Sequence, residues 1–88
     1  MINIEQFKDF QVAFEALRLQ TVDVAIIEIR EEEGDGEIYA NCYVILKNKD
    51  VLQELPGDYH RINNFDGFRT FRVFKDAETV KTELNQPR

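Results

Sequence analysis

The sequence predicts a small α+β protein that forms a single domain over residues 1–88. Apolar residues recur at helical spacing near both termini. Two extended runs flank a Gly-Asp-Gly segment at 34–36, and a further extended run precedes the C-terminal helical pattern. We therefore expect a single-layer antiparallel sheet of three or four strands in the order α-β-β-β-β-α, packed on one face by the N- and C-terminal helices.

The first helix is predicted over residues 3–20. Asn3 suits the N-cap, and Gln6 lies three residues later, as in a capping box. Apolar residues then recur every three or four positions: Phe7, Phe10, Phe14 and Leu17. This stripe needs an apolar partner surface, and the sheet formed by the following segment is expected to supply it.

Residues Val22–Lys47 predict a β-hairpin. A two-residue loop at Asp35-Gly36 is a strong hairpin signal and would pair Ile29 with Cys42. Successive side chains alternate between the two faces of a strand. The expected core face holds Ala25, Ile27, Ile29, Ile38, Ala40, Cys42, Val44 and Leu46. The expected outer face holds Val24, Ile26, Glu28, Arg30, Glu32, Tyr39, Asn41, Tyr43, Ile45 and Lys47. A loop one residue longer would shift the register and mix these faces.

The segment after the hairpin predicts a loop and two more strands. Residues 48–58 are expected to contain one helical turn that ends at Pro56-Gly57. A short strand is expected from Tyr59, with turns at 63–64 and 66–67. The strand Phe68–Lys75 carries phenylalanines on both faces, which indicates a central position in the sheet or a functional outer face.

The final helix is predicted over residues 77–85. Asp76 precedes it as a favourable N-cap. Ala77, Val80 and Leu84 form a narrow apolar stripe, and Pro87 fits the end of the helix.

The composition favours some functional classes over others. The net charge is −6 and the pI is about 4.7, which opposes binding of the whole surface to nucleic-acid phosphates. Residues 1–58 carry 13 acidic and 5 basic side chains, whereas residues 59–88 carry 4 and 6. No apolar run has the length of a transmembrane helix, and no secretory signal is evident. The lone Cys42 is expected to be a buried, inert thiol in a cytoplasmic protein.

The strongest candidate site is an acidic tip on the hairpin. Five carboxylates occur in seven residues: Glu31, Glu32, Glu33, Asp35 and Glu37. They could form a solvated turn whose charges discourage edge pairing, or a surface that docks into a basic protein groove and imitates nucleic-acid phosphates. A metal site has weaker support, because the spacing lacks the alternating ligands of an EF-hand loop.

Tyr39 and Tyr43 are expected on the outer face of the hairpin. Tyrosines are enriched at binding hot spots, although ordinary cross-strand packing also explains them. Because Tyr39 is predicted to lie opposite Glu32, the aromatic patch would continue directly into the acidic tip. This continuity favours an interaction surface for a partner or for a second copy of the chain.

An alternative nucleic-acid-binding surface lies in the C-terminal third, where basic residues alternate with phenylalanines: Arg61, Arg69, Arg72 and Lys75. Such a strand can bind single-stranded nucleic acid by stacking and phosphate contacts. It also fits a core strand whose arginines are solvated. His60 is the only histidine, and we expect no catalytic residues, metal ligands or cofactor.

In size, acidic charge and lack of catalytic motifs, the chain is similar to the small acidic proteins that phages and plasmids encode against host nucleic-acid-handling complexes, including anti-CRISPR and anti-restriction proteins. That resemblance implies a non-enzymatic inhibitor that binds a basic protein surface. Two alternatives remain open: a nucleic-acid-binding regulator or plasmid-maintenance accessory, and an oligomerising structural subunit such as a homodimer.

Overall fold

A computed structural model of the chain describes residues 2–32, 38–47, 55–65 and 67–86, with the backbone alone at 30–32, 38–41 and 63–65. Its elements are β1 (Ile4–Phe7), α1 (Phe10–Arg18), β2 (Val24–Glu32), β3 (Ile38–Lys47), β4 (His60–Phe65), β5 (Phe68–Val73) and α2 (Ala77–Asn85). The predicted α+β class, with one helix toward each terminus, is confirmed. The sheet has five strands in the order β1-β2-β3-β5-β4.

The additional strand is β1, and it makes the sheet mixed instead of antiparallel. Its four residues pair in parallel with β2, from Ile4 opposite Val24 to Phe7 opposite Ile27. The predicted capping box at Asn3 and Gln6 is therefore wrong. Asn3 instead joins the starts of the two strands: its Nδ2 donates to the Thr21 carbonyl at 2.7 Å, and its backbone N–H donates to Asp23 Oδ2 at 3.0 Å.

Helix α1 begins at Phe10, well inside the predicted range 3–20. Asp9 is its N-cap, and one of its carboxylate oxygens accepts a hydrogen bond from the Val12 N–H at 2.9 Å. An aspartate in extended conformation satisfies a backbone donor that the helix leaves open. Pairing with the open edge of β2 stabilises Ile4–Phe7 as a strand, and this tertiary interaction overrides the helical spacing of Phe7.

The hairpin is present, but its predicted register is wrong by one residue. Ile29 lies opposite Asn41 instead of Cys42, and Ile27 lies opposite Tyr43 instead of Val44. Five residues separate the last paired residues, Glu32 and Ile38. A hairpin with a two-residue loop has an even number of residues between every pair of opposed residues, so this register does not fit such a loop. The loop itself, with the predicted Asp35-Gly36 turn, lies outside the described residues.

The register shift changes the faces of the sheet. Val24 and Ile26 pack with α2 in one buried cluster, whereas Ala25 and Ile27 pack with Ala13 and Leu17 of α1 in another. Adjacent strand residues point to opposite faces, so the two helices lie on opposite faces of the sheet. The prediction that both helices pack on one face is therefore wrong, and neither face of the hairpin base is an outer face.

The C-terminal half follows the sequence more closely. Asp76 caps α2 by accepting a hydrogen bond from the Thr79 N–H at 2.8 Å, and the predicted apolar stripe of Ala77, Val80 and Leu84 is buried. Strand β5 lies between β3 and β4, as the phenylalanines on both its faces indicated. A turn at 63–64 is not formed, because both residues belong to β4, where the pairing shifts between Ile62 and Phe65.

Short turns flank these strands. The Tyr59 N–H donates to the Pro56 carbonyl at 3.1 Å, which closes a turn centred on Gly57 and Asp58. Phe65 lies opposite Phe68, and Gly67 between them has a φ of 82°; Asp66, the other residue of the predicted turn, lies outside the described residues. A positive φ costs glycine little, which accounts for glycine at this position. The helical turn expected within 48–54 lies outside the described residues.

Candidate interaction surfaces

The far end of the β2–β3 hairpin extends beyond its neighbours in the sheet. β1 pairs with Val24–Ile27 only, and β5 reaches β3 no further than Cys42. Four residue pairs lie past these limits, from Ile29 opposite Asn41 to Glu32 opposite Ile38. At about 3.3 Å per residue, this two-stranded ribbon is on the order of 13 Å long. We call these four pairs, from Ile29 to Glu32 with Ile38 to Asn41, the acidic arm; residues 33–37, which follow Glu32 in the chain, lie outside the described residues.

The structure brings part of the predicted acidic tip together on this arm. Glu31 lies opposite Tyr39, and Glu32 lies opposite Ile38. Tyr39 is therefore paired with Glu31 and not with Glu32 as predicted. An acidic residue and a tyrosine are still direct cross-strand neighbours. Glu33, Asp35 and Glu37 lie outside the described residues.

The base of the arm is attached to α2. Glu28 precedes the arm in β2, and its Oε2 accepts a hydrogen bond from the Ala77 N–H at 3.0 Å. This carboxylate lies at the N-terminus of α2, where the helix dipole favours a negative charge. One acidic side chain therefore fixes the relative positions of the last helix and the strand that enters the arm.

Tyr43 is not part of an outer face. It lies on the α1 side of the sheet, half-buried, with its ring centroid 5.2 Å from that of Phe10 in an edge-to-face arrangement. Tyr39, four residues earlier in β3, is on the arm. The structure therefore assigns the two predicted tyrosines to different environments, one in the arm and one against α1.

The four predicted nucleic-acid-binding residues are divided between the two faces of the sheet. Arg69 alternates with Thr70 along β5, and Arg61 lies opposite Phe71, so both arginines are on the α2 side. Arg72 lies opposite Tyr43 and His60, which places it on the α1 side. The structure does not bring Arg61, Arg69 and Arg72 to one surface.

Lys75, the fourth residue of that set, belongs to an ionic network beside α2. Its Nζ lies 2.6 Å from Asp58 Oδ2 and 2.7 Å from Glu83 Oε2, and the Tyr59 hydroxyl donates to Glu83 Oε1 at 2.7 Å. The hydrogen bonds from Lys75 and then from Tyr59 lower the pKa of Glu83. Hydrogen bonds to Asp58 and Glu83 raise the pKa of Lys75. Two carboxylates thus neutralise this cation locally.

A groove on the α1 side was not predicted from the sequence. α1 packs over β1, β2 and β3. A helix is about 10 Å wide, whereas five strands span roughly 19 Å at their usual spacing, so α1 leaves part of this face open. The resulting cavity of about 350 Å³, here called the aromatic groove, is lined by Phe10, Phe14, Tyr43, Ile62 and Thr70.

Two arginines neighbour residues that line the aromatic groove. Arg72 lies opposite Tyr43, with its guanidinium carbon 4.9 Å from the Phe74 ring centroid. Arg18 lies with its guanidinium carbon 5.8 Å from the Phe14 centroid and 5.9 Å from that of Phe68. The sequence signal for this groove was the pair of phenylalanines on α1.

Cys42 is buried, as predicted. Burial, followed by the nearby charges of Glu28 and Asp76, raises the pKa of its thiol to about 11. At neutral pH the thiol is protonated and poorly nucleophilic. Among the described residues, no group of three or more His, Cys, Asp and Glu side chains is placed to hold a metal ion.

Together these features define a small α+β protein whose described residues form a five-stranded mixed sheet, one helix on each face and a projecting two-stranded ribbon. Neither helix in the described part of the chain has the length and apolar character to cross a membrane. No family model matches the chain, and no curated protein or solved structure is detectably similar to it.

Proposed function

We propose that this protein is a non-enzymatic binding module that docks its acidic arm onto a positively charged surface of another protein. The observation that carries the proposal is the extension of four residue pairs beyond both β1 and β5. A ribbon two strands wide can enter a groove that the body of the sheet cannot. Its sequence supplies five carboxylates between residues 31 and 37.

The charge and the neighbouring tyrosine have separate roles in this binding. Clustered carboxylates attract a basic surface over roughly a Debye length, about 10 Å at 0.1 M salt, and speed association. Tyr39, opposite Glu31, adds a large amphipathic side chain of the type found at hot spots. Affinity should therefore fall steeply with salt while retaining a component that is insensitive to salt.

The partner we favour is a protein surface that normally holds nucleic acid. Such surfaces present lysine and arginine arrays to phosphates, and a row of carboxylates on a narrow ribbon offers similar negative charge. A phage- or plasmid-encoded inhibitor of a host complex, of the anti-CRISPR or anti-restriction kind, would act in this way. The proposal includes a cytoplasmic location, for which the lone free thiol of Cys42 is the supporting observation.

The test compares two triple variants that change the net charge equally. One carries Glu31→Lys, Glu32→Lys and Glu33→Lys. The control carries Glu5→Lys, Glu15→Lys and Glu78→Lys, at exposed positions outside the arm. Each tagged protein is incubated with extract from its source cells at low and at high salt, and captured proteins are identified by mass spectrometry.

We expect basic proteins to be captured at low salt by the wild type and by the control, and to be lost with the arm variant. Addition of DNA or RNA should release them if their nucleic-acid site is the docking surface. Equal capture by the two triple variants would show that the arm is not the binding element, and would overturn the proposal. Capture that nucleic acid does not affect would overturn only the favoured partner class.

A further inference from the structure

We propose that the acidic arm binds its partner by taking an extended segment of the partner as an additional β-strand, paired with the open edge of β3 at residues 38–41. The segment carries lysine or arginine. This mode of binding specifies how the docking proposed above takes place, so it rests on that function. Three features of the described residues carry it: the free backbone of the edge, the composition of the edge, and the charge of the neighbouring strand.

The edge of β3 is open beyond the end of β5. The last pair between these two strands joins Cys42 with Val73, and no described strand pairs with residues 38–41 on this side. An open strand edge accepts a further strand through main-chain hydrogen bonds, which is a recurring mode of peptide recognition. A strand added here would continue the line of β5 along the arm.

The backbone direction at this edge follows from the strand pairing. The Val24 N–H donates to the Asn3 carbonyl at 3.2 Å, so Val24 directs its backbone groups toward β1. Backbone groups alternate sides along a strand, and the odd-numbered residues of β2 therefore face β3. Even-numbered residues of β2 lie opposite even-numbered residues of β3, as in the pair Val24 and Leu46. The N–H and C=O groups of Ile38 and Ala40 consequently point off the open edge.

The composition of this edge permits pairing. Proteins protect exposed edges with charged side chains, proline or bulges. Residues 38–41 read Ile-Tyr-Ala-Asn, without charge or proline, and their pairing with β2 is regular. The opposite edge of the arm, in β2, carries Arg30, Glu31 and Glu32 and is of the protected kind. The β3 edge is therefore the one to which a strand is added.

The charge of the arm selects a basic strand. β2 contributes Glu31 and Glu32 to the arm, and the whole chain has a net charge of −6. An added strand would lie two strand spacings from β2, or about 10 Å, which is about one Debye length at 0.1 M salt. Pairing of two identical acidic arms is opposed by this charge, whereas a segment with lysine or arginine is attracted by it.

Peptides test this mode of binding on the wild-type protein. The probes are Lys-Thr-Lys-Thr-Lys-Thr, the same peptide with every backbone nitrogen methylated, and Glu-Thr-Glu-Thr-Glu-Thr. Each is titrated into the isotopically labelled protein, and backbone amide shifts are followed by NMR. We expect the lysine peptide to shift the amides of Ile38 and Ala40 in a saturable manner. The methylated peptide should bind about tenfold more weakly, because it keeps the charge but loses the main-chain donors, and the glutamate peptide should not bind.

A pair of proline variants localises the edge. Ala40→Pro removes an outward N–H of β3 without a change of charge, and it should weaken binding of the lysine peptide about tenfold. Gln6→Pro is the matched control, because it removes an outward N–H from the edge strand β1, outside the arm, and should leave binding unchanged. The dispersion of the amide spectrum shows that each variant is folded.

Several results would overturn the inference. Equal binding of the lysine peptide and its methylated form would show that charge alone holds the ligand. Absence of saturable binding, or shifts confined to Arg30 and Glu32 on the β2 edge, would exclude the β3 edge. If the amides of Ile38 and Ala40 shift with protein concentration alone, the edge pairs with a second copy of the chain instead. Basic proteins captured from extract by Ala40→Pro but not by the arm variant would leave the proposed function standing and would exclude strand addition.

Discussion

Substitution of Tyr59 by phenylalanine tests how the last helix is held to the sheet. Tyr59 is only 6% exposed, and its hydroxyl donates to Glu83 Oε1 at 2.7 Å. A hydrogen bond to a charged group contributes about 1.5–3 kcal/mol to stability. Glu83 is partly exposed and keeps its bond to Lys75, so we expect Tyr59→Phe to lower the free energy of unfolding by about 1–2 kcal/mol.

The assay is thermal and urea unfolding at several pH values. For a domain of this size, each kcal/mol lowers Tm by about 4–8 °C. The wild-type pKa of Glu83 is lowered in the folded state, so the stabilisation is present above the ordinary glutamate pKa and is lost as pH falls through the folded value. Phenylalanine at position 59 removes one of the hydrogen bonds that lower the pKa of Glu83. The variant therefore loses less stability than the wild type on acidification, and the stability difference between the two proteins should narrow in acid.

Measurements at alkaline pH give a second, independent test of the same hydrogen bond. Burial, and then the hydrogen bond to Glu83, raises the pKa of Tyr59. Stability that depends on a protonated Tyr59 is present below the ordinary tyrosine pKa, about 10, and is lost as pH rises above it. The variant has no such group, so the difference should be widest between about pH 5 and pH 10 and should narrow on both sides.

Tyr43→Phe is the matched control, because it removes a tyrosine hydroxyl that does not contact Glu83. Its stability difference from the wild type should not show the narrowing in acid that depends on Glu83. A Tyr59→Phe difference that stays constant as pH falls from neutral to well below the ordinary glutamate pKa, about 4.3, or a variant as stable as the wild type, would refute the assignment of this hydrogen bond as a stabilising link to α2.

Two further predictions concern the base of the arm. Glu28→Ala removes the acceptor of the Ala77 N–H and should lower the free energy of unfolding in urea by about 1–2 kcal/mol. Glu28→Gln keeps an acceptor and should lower it less. An alanine variant as stable as the wild type would contradict the link between Glu28 and α2. The thiol of Cys42 is buried and has a pKa of about 11. It should therefore react with dithiobis(nitrobenzoic acid) only as fast as the protein opens. A rate typical of an exposed cysteine would show that the thiol is accessible in the folded protein and would contradict this prediction.

The local signals in the sequence predicted the C-terminal half well. The N-cap at Asp76 and the stripe of Ala77, Val80 and Leu84 depend on residues within one helix. The central position of β5 followed from phenylalanines on both of its faces. These features could be predicted because each is determined by neighbouring residues or by simple alternation.

The register of the hairpin could not be predicted in the same way. The prediction assumed one polar face, so it chose the loop that separated apolar from mixed residues. In the structure Val24–Ile27 are all buried, because a helix covers each face. A continuous apolar run is typical of a strand buried on both sides, and this signal was outweighed by the Asp35-Gly36 turn. β1 was missed because each of its residues pairs with a residue twenty positions further along the chain.

The candidate sites differ in the same respect: local sequence signals reveal some of them, and strand pairing determines the others. The carboxylates of the acidic tip could be picked out from composition, since clustered charges are visible without a fold, but the projection of four residue pairs beyond β1 and β5 was not predicted. The aromatic groove was not, because it exists only where a single helix fails to cover a wider sheet. Similarly, the division of Arg61 and Arg72 between faces depends on strand pairing, which charge counts do not reveal.

The position of β1 has a consequence for the order of folding. The two hairpins pair residues close in sequence, such as Glu32 with Ile38 and Phe65 with Phe68. β1 instead joins the sheet across a twenty-residue separation, through only four residues at an outer edge. Loop closure costs more for distant pairs, and few contacts repay that cost. We expect β1 to dock after the transition state for folding.

Kinetic measurements test this order. Ile4→Val in β1 should speed unfolding and leave the folding rate unchanged, whereas Val44→Ala in the central strand should slow folding. A slower folding rate for the β1 variant would contradict late docking. If the order is correct, the amino-terminal strand is also the first part to detach under stress, so protection of its amides against hydrogen exchange should be the weakest in the sheet.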